Sequence, residues 1–161
     1  VFIHASAIFH LVDRCTRWHD AELVESKQDT TLMSAIADYW VKLHGPMRER
    51  IMDGESGVAK SVTTQEYIKR RGITFVSRAP SQRARIIERR GALLRDTVHR
   101  IDAPLKEECI SIPFNLRLAE AAFAGNALIT ISNTTPYNAV YGRVPRLLPN
   151  ISSFESESML D

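Results

Sequence analysis

Two acidic residues stand where the chain could hold a divalent metal ion. Asp53 ends the short run Arg50-Ile51-Met52-Asp53, and Glu88 lies on the helix predicted after the next strand. The carboxyl ends of strands are where α/β folds collect ligands. Carboxylates bind Mg²⁺ or Mn²⁺, and two such ions about 3.5–4 Å apart stabilise the attacking and leaving oxygens at a phosphate. The two residues therefore outline a site for phosphoryl transfer.

Both residues also have a plainer interpretation. Asp53 would cap a turn ahead of Gly54, and Glu88 would pair with a nearby arginine on a solvated helix face. On spacing alone this interpretation is favoured, because surface ion pairs of small energy are common and a fold does not specify a function.

Other ligand types offer less. Asp13 also ends a predicted strand, forty positions before Asp53. Cys15 and Cys109 belong to no Cys-x-x-Cys pair, and Cys15 with His19 would supply only half of a zinc site. The sequence therefore favours an oxygen-ligand site and free thiols.

The first half of the chain is predicted to hold a hairpin and a helix. The runs Ile8–Asp13 and Ala21–Val24 are typical of two paired strands. N-cap chemistry at Asp29-Thr30-Thr31 precedes a helix, which Gly45-Pro46 ends. Its apolar face is predicted from residues spaced by three and four: Leu32, Ile36, Tyr39, Trp40 and Leu43.

The second half is predicted to alternate strands and helices. Arg50–Asp53 and Ile73–Val76 are the strands, and a helix over Thr63–Arg71, with Gly72 as its C-cap, joins them. The longest helix spans Gln82 to about Ile101, and a last helix covers roughly Pro113–Ile131. This order predicts an α/β fold, a mixed sheet flanked by helices.

Composition predicts one soluble globular domain. The chain has 161 residues, 44% of them hydrophobic, and a net charge of +2, which is too small to predict attraction to a polyanion. No apolar run approaches the roughly 20 residues that span a bilayer, so we expect an intracellular protein without membrane contact. The domain is expected over 1–149 and a polar tail over 150–161, within a piece of something longer.

Several segments together resemble the catalytic core of LTR-retrotransposon (gypsy/copia-type) and retroviral integrases. The matching segments run in the family's order through nearly the whole chain: His10-Leu-Val-Asp-Arg-Cys-Thr-Arg-Trp18, Trp40, His44-Gly-Pro46, Ile51-Met-Asp-Gly-Glu-Ser-Gly57, Ile87-Glu-Arg-Arg-Gly-Ala-Leu-Leu-Arg95, Asn126 and Thr135-Pro-Tyr-Asn-Ala-Val-Tyr-Gly-Arg-Val-Pro145. Each motif is weak alone, but their joint order favours the catalytic interpretation of Asp53 and Glu88.

The resemblance implies a ribonuclease H-like fold with a mixed five-stranded sheet and an Asp, Asp, Glu triad. Asp53 and Glu88 would bind Mg²⁺ or Mn²⁺, and the enzyme would trim element ends and join them to target DNA by two-metal phosphoryl transfer. It also implies homo-oligomers, DNA partners, and a location in the nucleus and in cytoplasmic retroelement particles.

The triad's first aspartate is expected immediately before Val1, so the first strand would be truncated and the fragment inactive alone. Val1–His4 would be the rest of that strand, Ala5-Ser6 its turn, and Asp13 a turn residue.

Two departures from the family bear on loop mobility and on the placing of DNA. Asp53-Gly-Glu-Ser-Gly-Val58 replaces the usual Asp-Asn-Gly-x-Glu-Phe, and Arg85 stands where the family has a small residue.

Basic residues concentrate on the predicted long helix. Arg85, Arg89 and Arg95 are candidates for DNA phosphate contacts, within a cluster that also includes Arg83, Arg90 and Arg100. Arg95 follows Glu88 by two helical turns, where the family places a basic residue near DNA. Lys69–Arg71 form a second small cluster, and a solvated charged face is the alternative for both. Trp18 and Trp40 are predicted to pack in the core rather than stack on bases.

Two other functions are compatible with the same residues. A ribonuclease H-like nuclease would only hydrolyse nucleic acid, whereas a decayed or domesticated copy would bind DNA without catalysis. Joining of a pre-cut DNA end to a target plasmid separates an integrase from the nuclease. An acidic residue at the missing first position, with an open reading frame through the flanking protease and reverse transcriptase, separates it from a decayed copy.

Overall fold

The amino-terminal segment forms three antiparallel strands, β1 (Phe2–Ile3), β2 (Ser6–Val12) and β3 (His19–Leu23). The structure, a computed structural model, describes residues 1–53, 61–78 and 85–147, and of residues 52, 53, 77 and 78 it describes the backbone alone. β2 is the central strand, with Phe2 opposite Ala7 and Val12 opposite His19. The predicted hairpin is confirmed, because β2 pairs with β3 from Ile8 opposite Leu23 to Val12 opposite His19.

The turn between β1 and β2 lies one residue earlier than predicted. His4 and Ala5 occupy it with φ of 48° and 64°, and Ser6 is already paired with Ile3. A two-residue turn with positive φ at both positions matches the twist of a hairpin. The expected turn at Ala5-Ser6 was therefore wrong, because Ser6 belongs to the strand.

One interrupted helix connects the hairpin to the next strand. α1 (Asp29–Ile36) continues through a π-helical segment (Ala37–Val41) into α2 (Lys42–His44), and Gly45, with φ of 78°, ends it. The extra residue per turn of a π-helix rotates the face that follows. Ile36 is therefore buried whereas Leu43 is 65% exposed, so the predicted apolar face is confirmed at Ile36 but not at Leu43.

The helix begins at Asp29 after Gln28, which makes no side-chain cap, contrary to the predicted N-cap.

A parallel pair of strands follows, as the alternation of elements predicts. β4 (Glu49–Asp53) and β5 (Thr74–Arg78) pair in register from Glu49 opposite Thr74 to Asp53 opposite Arg78. α3 (Val62–Arg70) returns the chain, and Gly72 takes φ of 65° at its end. Strand β5 begins and ends one or two residues later than expected.

Three further helices complete the described fold: α4 (Arg85–Glu107), α5 (Phe114–Leu128) and α6 (Pro136–Tyr141). α4 extends six residues beyond its predicted end and contains Pro104. The short α6 was not predicted, although Thr135 caps it through a bond from the Asn138 amide, 3.2 Å, and Pro136 stands at its start. Both residue types are helix-start signals.

The core lies between the hairpin sheet and helices α4 and α5. It is built from these buried side chains: Ile3, Ile8, Ala21, Leu94, Val98, Leu118 and Ala121. A Cβ at Gly91 would lie 3.1 Å from the side chains of both His10 and Val1. Glycine at this position therefore lets α4 approach the sheet closely.

Within the described residues, the strands form a three-stranded antiparallel sheet and a two-stranded parallel sheet. The expected mixed five-stranded sheet is not seen among the described residues, because β1 contains only two residues and pairs with β2 alone. No described helix is both long enough and apolar enough to cross a membrane.

Candidate active site

Asp53 and Glu88 are carried by β4 and α4, elements that both contribute to the lining of one cavity. Asp53 is the last residue of β4, opposite Arg78 at the end of β5, and the chain leads from there to α4. Glu88 lies in the first turn of α4 and is exposed. The side chain of Asp53 lies outside the described part of the structure, so the approach of the two carboxylates stays a prediction.

An open cavity of about 780 Å³ lies beside both elements. Its walls come from β2 and the turn after it, from the segment His44–Ile51, and from Ile87, the neighbour of Glu88. Ile51 lies two residues before Asp53 on the same strand. The start of α4 and the strand that carries Asp53 therefore share one cavity.

A buried cation lies in the wall of this cavity. Arg50 is 6% exposed, and burial lowers its pKa to about 10. Its Nη1 contacts the sulfur of Met33 at 3.8 Å, while its Nε has no hydrogen-bond partner among the described atoms. A buried guanidinium nitrogen without an acceptor is costly, so this wall suits a partner that supplies an oxygen acceptor to Nε.

Asp13 is held in the turn between β2 and β3. Its Oδ2 accepts hydrogen bonds from the Thr16 amide at 2.6 Å, the Thr16 hydroxyl at 2.7 Å and the Cys15 amide at 3.1 Å. These contacts close a local turn of a kind aspartate commonly forms. Asp13 lines the cavity, but its Oδ2 is already engaged in shaping the loop.

The predicted DNA-contacting arginines Arg85, Arg89 and Arg95 are all exposed on α4. Arg100 forms an exposed ion pair with Asp96 at 3.0 Å, and Arg83 lies outside the described residues. The prediction that Arg90 belongs to the surface cluster was wrong, because Arg90 is only 5% exposed. The helical period turns it inward, away from its neighbour Arg89.

Arg90 belongs instead to a buried hydrogen-bond network that fixes α4. Its Nη2 donates to Asn126 Oδ1 at 2.8 Å, and its Nη1 donates to the Gly125 carbonyl at 3.1 Å. Asn126 Oδ1 also accepts a hydrogen bond from the His19 amide at 3.0 Å, and Asn126 Nδ2 donates to the His19 carbonyl at 2.9 Å. The amide side chain therefore pairs with the edge of β3 as another strand would.

Two histidines extend this network toward the first strand. The rings of His10 and His19 are joined by a hydrogen bond of 3.1 Å between Nδ1 and Nε2. Burial lowers the pKa of His10 to about 4 and that of His19 to about 3, with smaller contributions from nearby positive charges. Both rings are therefore neutral at physiological pH, which suits a location beside Arg90.

In the sequence, Asn126 was singled out only as part of the resemblance to integrase cores. Its hydrogen bonds with Arg90 and His19 were not predicted. Asparagine inside an alanine-rich helix is a weak signal of a buried amide, since asparagine is a poor helix former. His10 and His19 could have been found as the same-face residues of paired strands.

Trp18 and Trp40 are half-buried in the wall of the cavity rather than fully in the core. Both rings contact His44, at centroid distances of 5.9 Å and 4.9 Å. Trp18 Nε1 also donates to Asp20 Oδ1 at 2.9 Å. The buried surroundings raise the pKa of Asp20, although this bond and His44 favour its charged form.

No protein-family model and no curated protein matches the sequence. The fold is nevertheless similar to that of retroviral integrase catalytic cores. The HTLV-2 integrase catalytic core domain in complex with magnesium (trimeric form) aligns with a TM-score of 0.65 and 14% identity over 83% of this chain and 91% of that one. The BIV integrase catalytic core domain aligns with a TM-score of 0.68 and 15% identity over 98% and 93%.

A larger assembly contains the same fold. The simian T-cell lymphotropic virus intasome, in complex with PP2A regulatory subunit B56 gamma, aligns with a TM-score of 0.69 and 17% identity over 89% of this chain and 55% of that one. These likenesses show that the chain has the α/β fold of a retroviral integrase core.

Proposed function

We propose that this chain is the catalytic core of an LTR-retroelement integrase, a polynucleotidyl transferase that trims retroelement DNA ends and joins them to target DNA. The observation that carries the proposal is the integrase-core fold, in which the elements that carry Asp53 and Glu88 border one cavity. Asp53 lies at the end of β4, and Glu88 lies in the first turn of α4.

Asp53 and Glu88 would hold Mg²⁺ or Mn²⁺, since carboxylate oxygens are the ligands these ions prefer. When bound, such ions neutralise charge at the attacking and leaving oxygens of a phosphodiester. The chain's own residues provide positioning. Arg90 and Asn126 fix α4 against β3, so that Glu88 is presented from a rigid helix. Its first turn places a carboxylate where the helix dipole favours negative charge.

The structure supports a missing central strand between β2 and β4. Val1 and Ile8 exchange two hydrogen bonds, of 3.0 Å and 2.8 Å, so the next hydrogen-bonding positions of β2 on this side are His10 and Val12. The cavity lies between this edge of β2 and β4. An extended strand there would complete the five-stranded sheet of a domain formed by residues 1–149 and the segment ahead of Val1.

Such a strand would explain two features of the cavity. Its carbonyl groups would lie near the buried Arg50, whose Nε has no hydrogen-bond partner among the described atoms. Since Val1 lies opposite Ile8, the residue ahead of Val1 would lie opposite Phe9. The third carboxylate of the triad, which is expected at that residue, would then lie next to Val1. With only two carboxylates, too little negative charge is available to hold two divalent ions firmly.

DNA would contact the exposed arginines of α4. Arg85, Arg89 and Arg95 lie on the helix that presents Glu88, so phosphates bound there lie near the proposed metal site. We also propose that the chain works as a homo-oligomer. The HTLV-2 core is described in trimeric and dimeric forms, which supports this part of the proposal.

The test is an end-joining assay with a pre-cut retroelement end, a target plasmid and Mg²⁺ or Mn²⁺. The chain is assayed as given and with the residues ahead of Val1 restored. We expect joining only from the extended chain, and a loss of at least a thousandfold for Glu88→Gln. Glu120→Gln, an exposed glutamate on α5, is the matched control and should leave joining unchanged.

Three outcomes would contradict different parts of the proposal. Nicking without joining would indicate a nuclease. DNA binding without either reaction in the extended chain would indicate a binding module. Activity of the bare chain that disappears on Asp13→Asn would identify Asp13 as the first catalytic aspartate.

A further inference from the structure

A second group of possible metal ligands lies at the β1–β2 turn. Among the described residues, His4, His99 and Asp102 each offer one ligand atom, and these three atoms lie within 4.8 Å of one another. His4 Nε2 is 2.6 Å from Asp102 Oδ2, and the rings of His4 and His99 meet edge to face with centroids 5.1 Å apart. Both histidines are exposed, so an ion in solution can reach them.

The fold brings these ligands together from two elements. His99 and Asp102 are separated by three positions on α4, so they lie on the same helix face. His4 comes from the two-residue turn, where its φ of 48° is fixed by the pairing of Ile3 with Ser6. The ligands therefore stand on a rigid turn and a rigid helix, which reduces the cost of organising them around an ion.

The carboxylate is already oriented by a neighbouring residue. Arg117 of α5 donates to Asp102 Oδ1, leaving Oδ2 directed at the imidazole of His4. Carboxylates that bind metals are commonly held in this way by hydrogen bonds from behind, which fixes their orientation. The guanidinium also stacks over Phe114, with Cζ 5.4 Å from the ring centroid, so its position is itself supported.

The donor set selects the class of ion. Two imidazole nitrogens and one carboxylate oxygen suit Zn²⁺ and related transition metals, whereas Mg²⁺ prefers oxygen alone. Tetrahedral ligands about 2.0–2.1 Å from zinc stand roughly 3.3 Å apart. The contact between His4 and Asp102 would thus open by less than 1 Å, which a side-chain rotation at an exposed turn allows.

From these contacts we propose that His4, His99 and Asp102 form a binding site for a transition-metal ion of the Zn²⁺ class, with solvent in the fourth position. It is separate from the site proposed at Glu88. Asp102 follows Glu88 by fourteen residues of the same helix, which corresponds to about 21 Å. The bound ion would clamp the hairpin turn to α4 and resist separation of the sheet from this helix.

The proposal is tested by calorimetric titration of Zn²⁺ alone into the full chain. Cys15 and Cys109 are exposed thiols that could bind zinc themselves, so both are replaced by serine in every sample. We expect one zinc bound per chain. His99→Ala should weaken its binding tenfold or more, because even loss of a residue behind a ligand typically costs roughly 10–100-fold.

Matched variants separate ligation from general effects. His99→Ala leaves the hydrogen bonds of Asp102 in place, so circular dichroism should show an unchanged fold. Asp96→Asn removes an exposed carboxylate from the same helix, outside the cluster, and should leave zinc affinity unchanged. Co²⁺ added in place of Zn²⁺ should give visible absorption in the parent chain and lose it in His99→Ala and Asp102→Asn.

The proposal is overturned if these variants bind zinc as tightly as the parent chain, or if the parent chain binds none. It is overturned equally if Glu88→Gln abolishes the tight binding, because the ion would then occupy the other site.

Discussion

At the scale of single residues, adjacent arginines of one helix have opposite roles. Arg89 is exposed, whereas Arg90 is buried and bonded to Asn126 and the Gly125 carbonyl. A guanidinium can be buried only where acceptors are positioned for it. Asn126 supplies one such acceptor and pairs with the backbone of His19 as well. This amide therefore joins α4, α5 and β3.

Asn126→Ala should lower the free energy of unfolding by about 3 kcal/mol. The substitution leaves the Arg90 charge buried with one acceptor fewer and two backbone groups of His19 unpaired, each a costly change. Urea denaturation measures the effect, with Asn115→Ala as the control because Asn115 is exposed on the same helix. A loss below about 1 kcal/mol would mean that water replaces these bonds.

Arg95→Glu should weaken binding to DNA of any sequence. A phosphate contact releases counterions without reading bases, so the slope of log affinity against log salt should fall by about 1. Fluorescence anisotropy at several salt concentrations gives this slope. Arg100→Glu makes the same change of charge at a position about 140° around the helix from Arg95, so it should alter the slope less. Equal effects of both variants would show only a response to net charge.

At the scale of elements, α4 is held against the hairpin by neutral histidines. Gly91 brings the helix within contact of His10, which bonds His19, and His19 lies beside Arg90. Protonation of either ring would place a second positive charge in this buried region. The attachment of the helix that carries Glu88 is therefore expected to depend on pH.

The chain should lose stability as pH falls from 7 to 5. In the unfolded chain both histidines take up protons near their ordinary pKa of 6.5, whereas burial lowers the folded values to about 4 and about 3. Their contribution is complete above pH about 6.5 and is lost below it, by about 2–4 kcal/mol at pH 5. Urea denaturation at a series of pH values follows this loss.

A pair of variants identifies the groups responsible. His10→Gln should remove about half of the pH dependence between pH 7 and 5, whatever its overall stability. His99→Gln replaces an exposed histidine and should keep the full dependence. An unchanged slope in His10→Gln would assign the effect to other groups.

At the scale of the whole molecule, the described strands form two separate sheets. The three antiparallel strands and the parallel pair flank one cavity, and across its mouth Arg14 reaches Glu49 at 3.5 Å. An exposed ion pair of this kind stabilises little. A strand between β2 and β4 would supply hydrogen bonds along both edges and so unite the two sheets.

Adding the upstream strand that we propose between β2 and β4 should protect the open edge of β2. The amides of His10 and Val12 face the cavity, so their hydrogen exchange should slow by roughly a hundredfold in the extended chain. The amides of Phe9 and Leu11 face β3, opposite Glu22 and Asp20, and should be protected in both forms. Unchanged exchange at His10 and Val12 would place the added residues elsewhere.

The sequence by itself determined most of the elements and their order. The apolar run of β2, the aspartate that ends β4, and the helical repeat through Leu94 and Val98 are features of local sequence pattern. The turn at His4-Ala5 was missed by one residue, and the π-helical segment was not anticipated, because both depend on how neighbouring elements pack. The structure leaves the pairing of Asp53 with Glu88 a prediction.

Only the tertiary structure decided the partners of the polar side chains. The sequence placed Arg90 on a basic surface, since a run of arginines has no preferred face until the core is known. Asn126 and His19 are separated by 107 positions, and His4 and Asp102 by 98. Such contacts follow from the packing of α4 and α5 on the hairpin, which is set by the buried apolar residues. Local sequence patterns carry hydrophobic periodicity but no record of which distant groups meet.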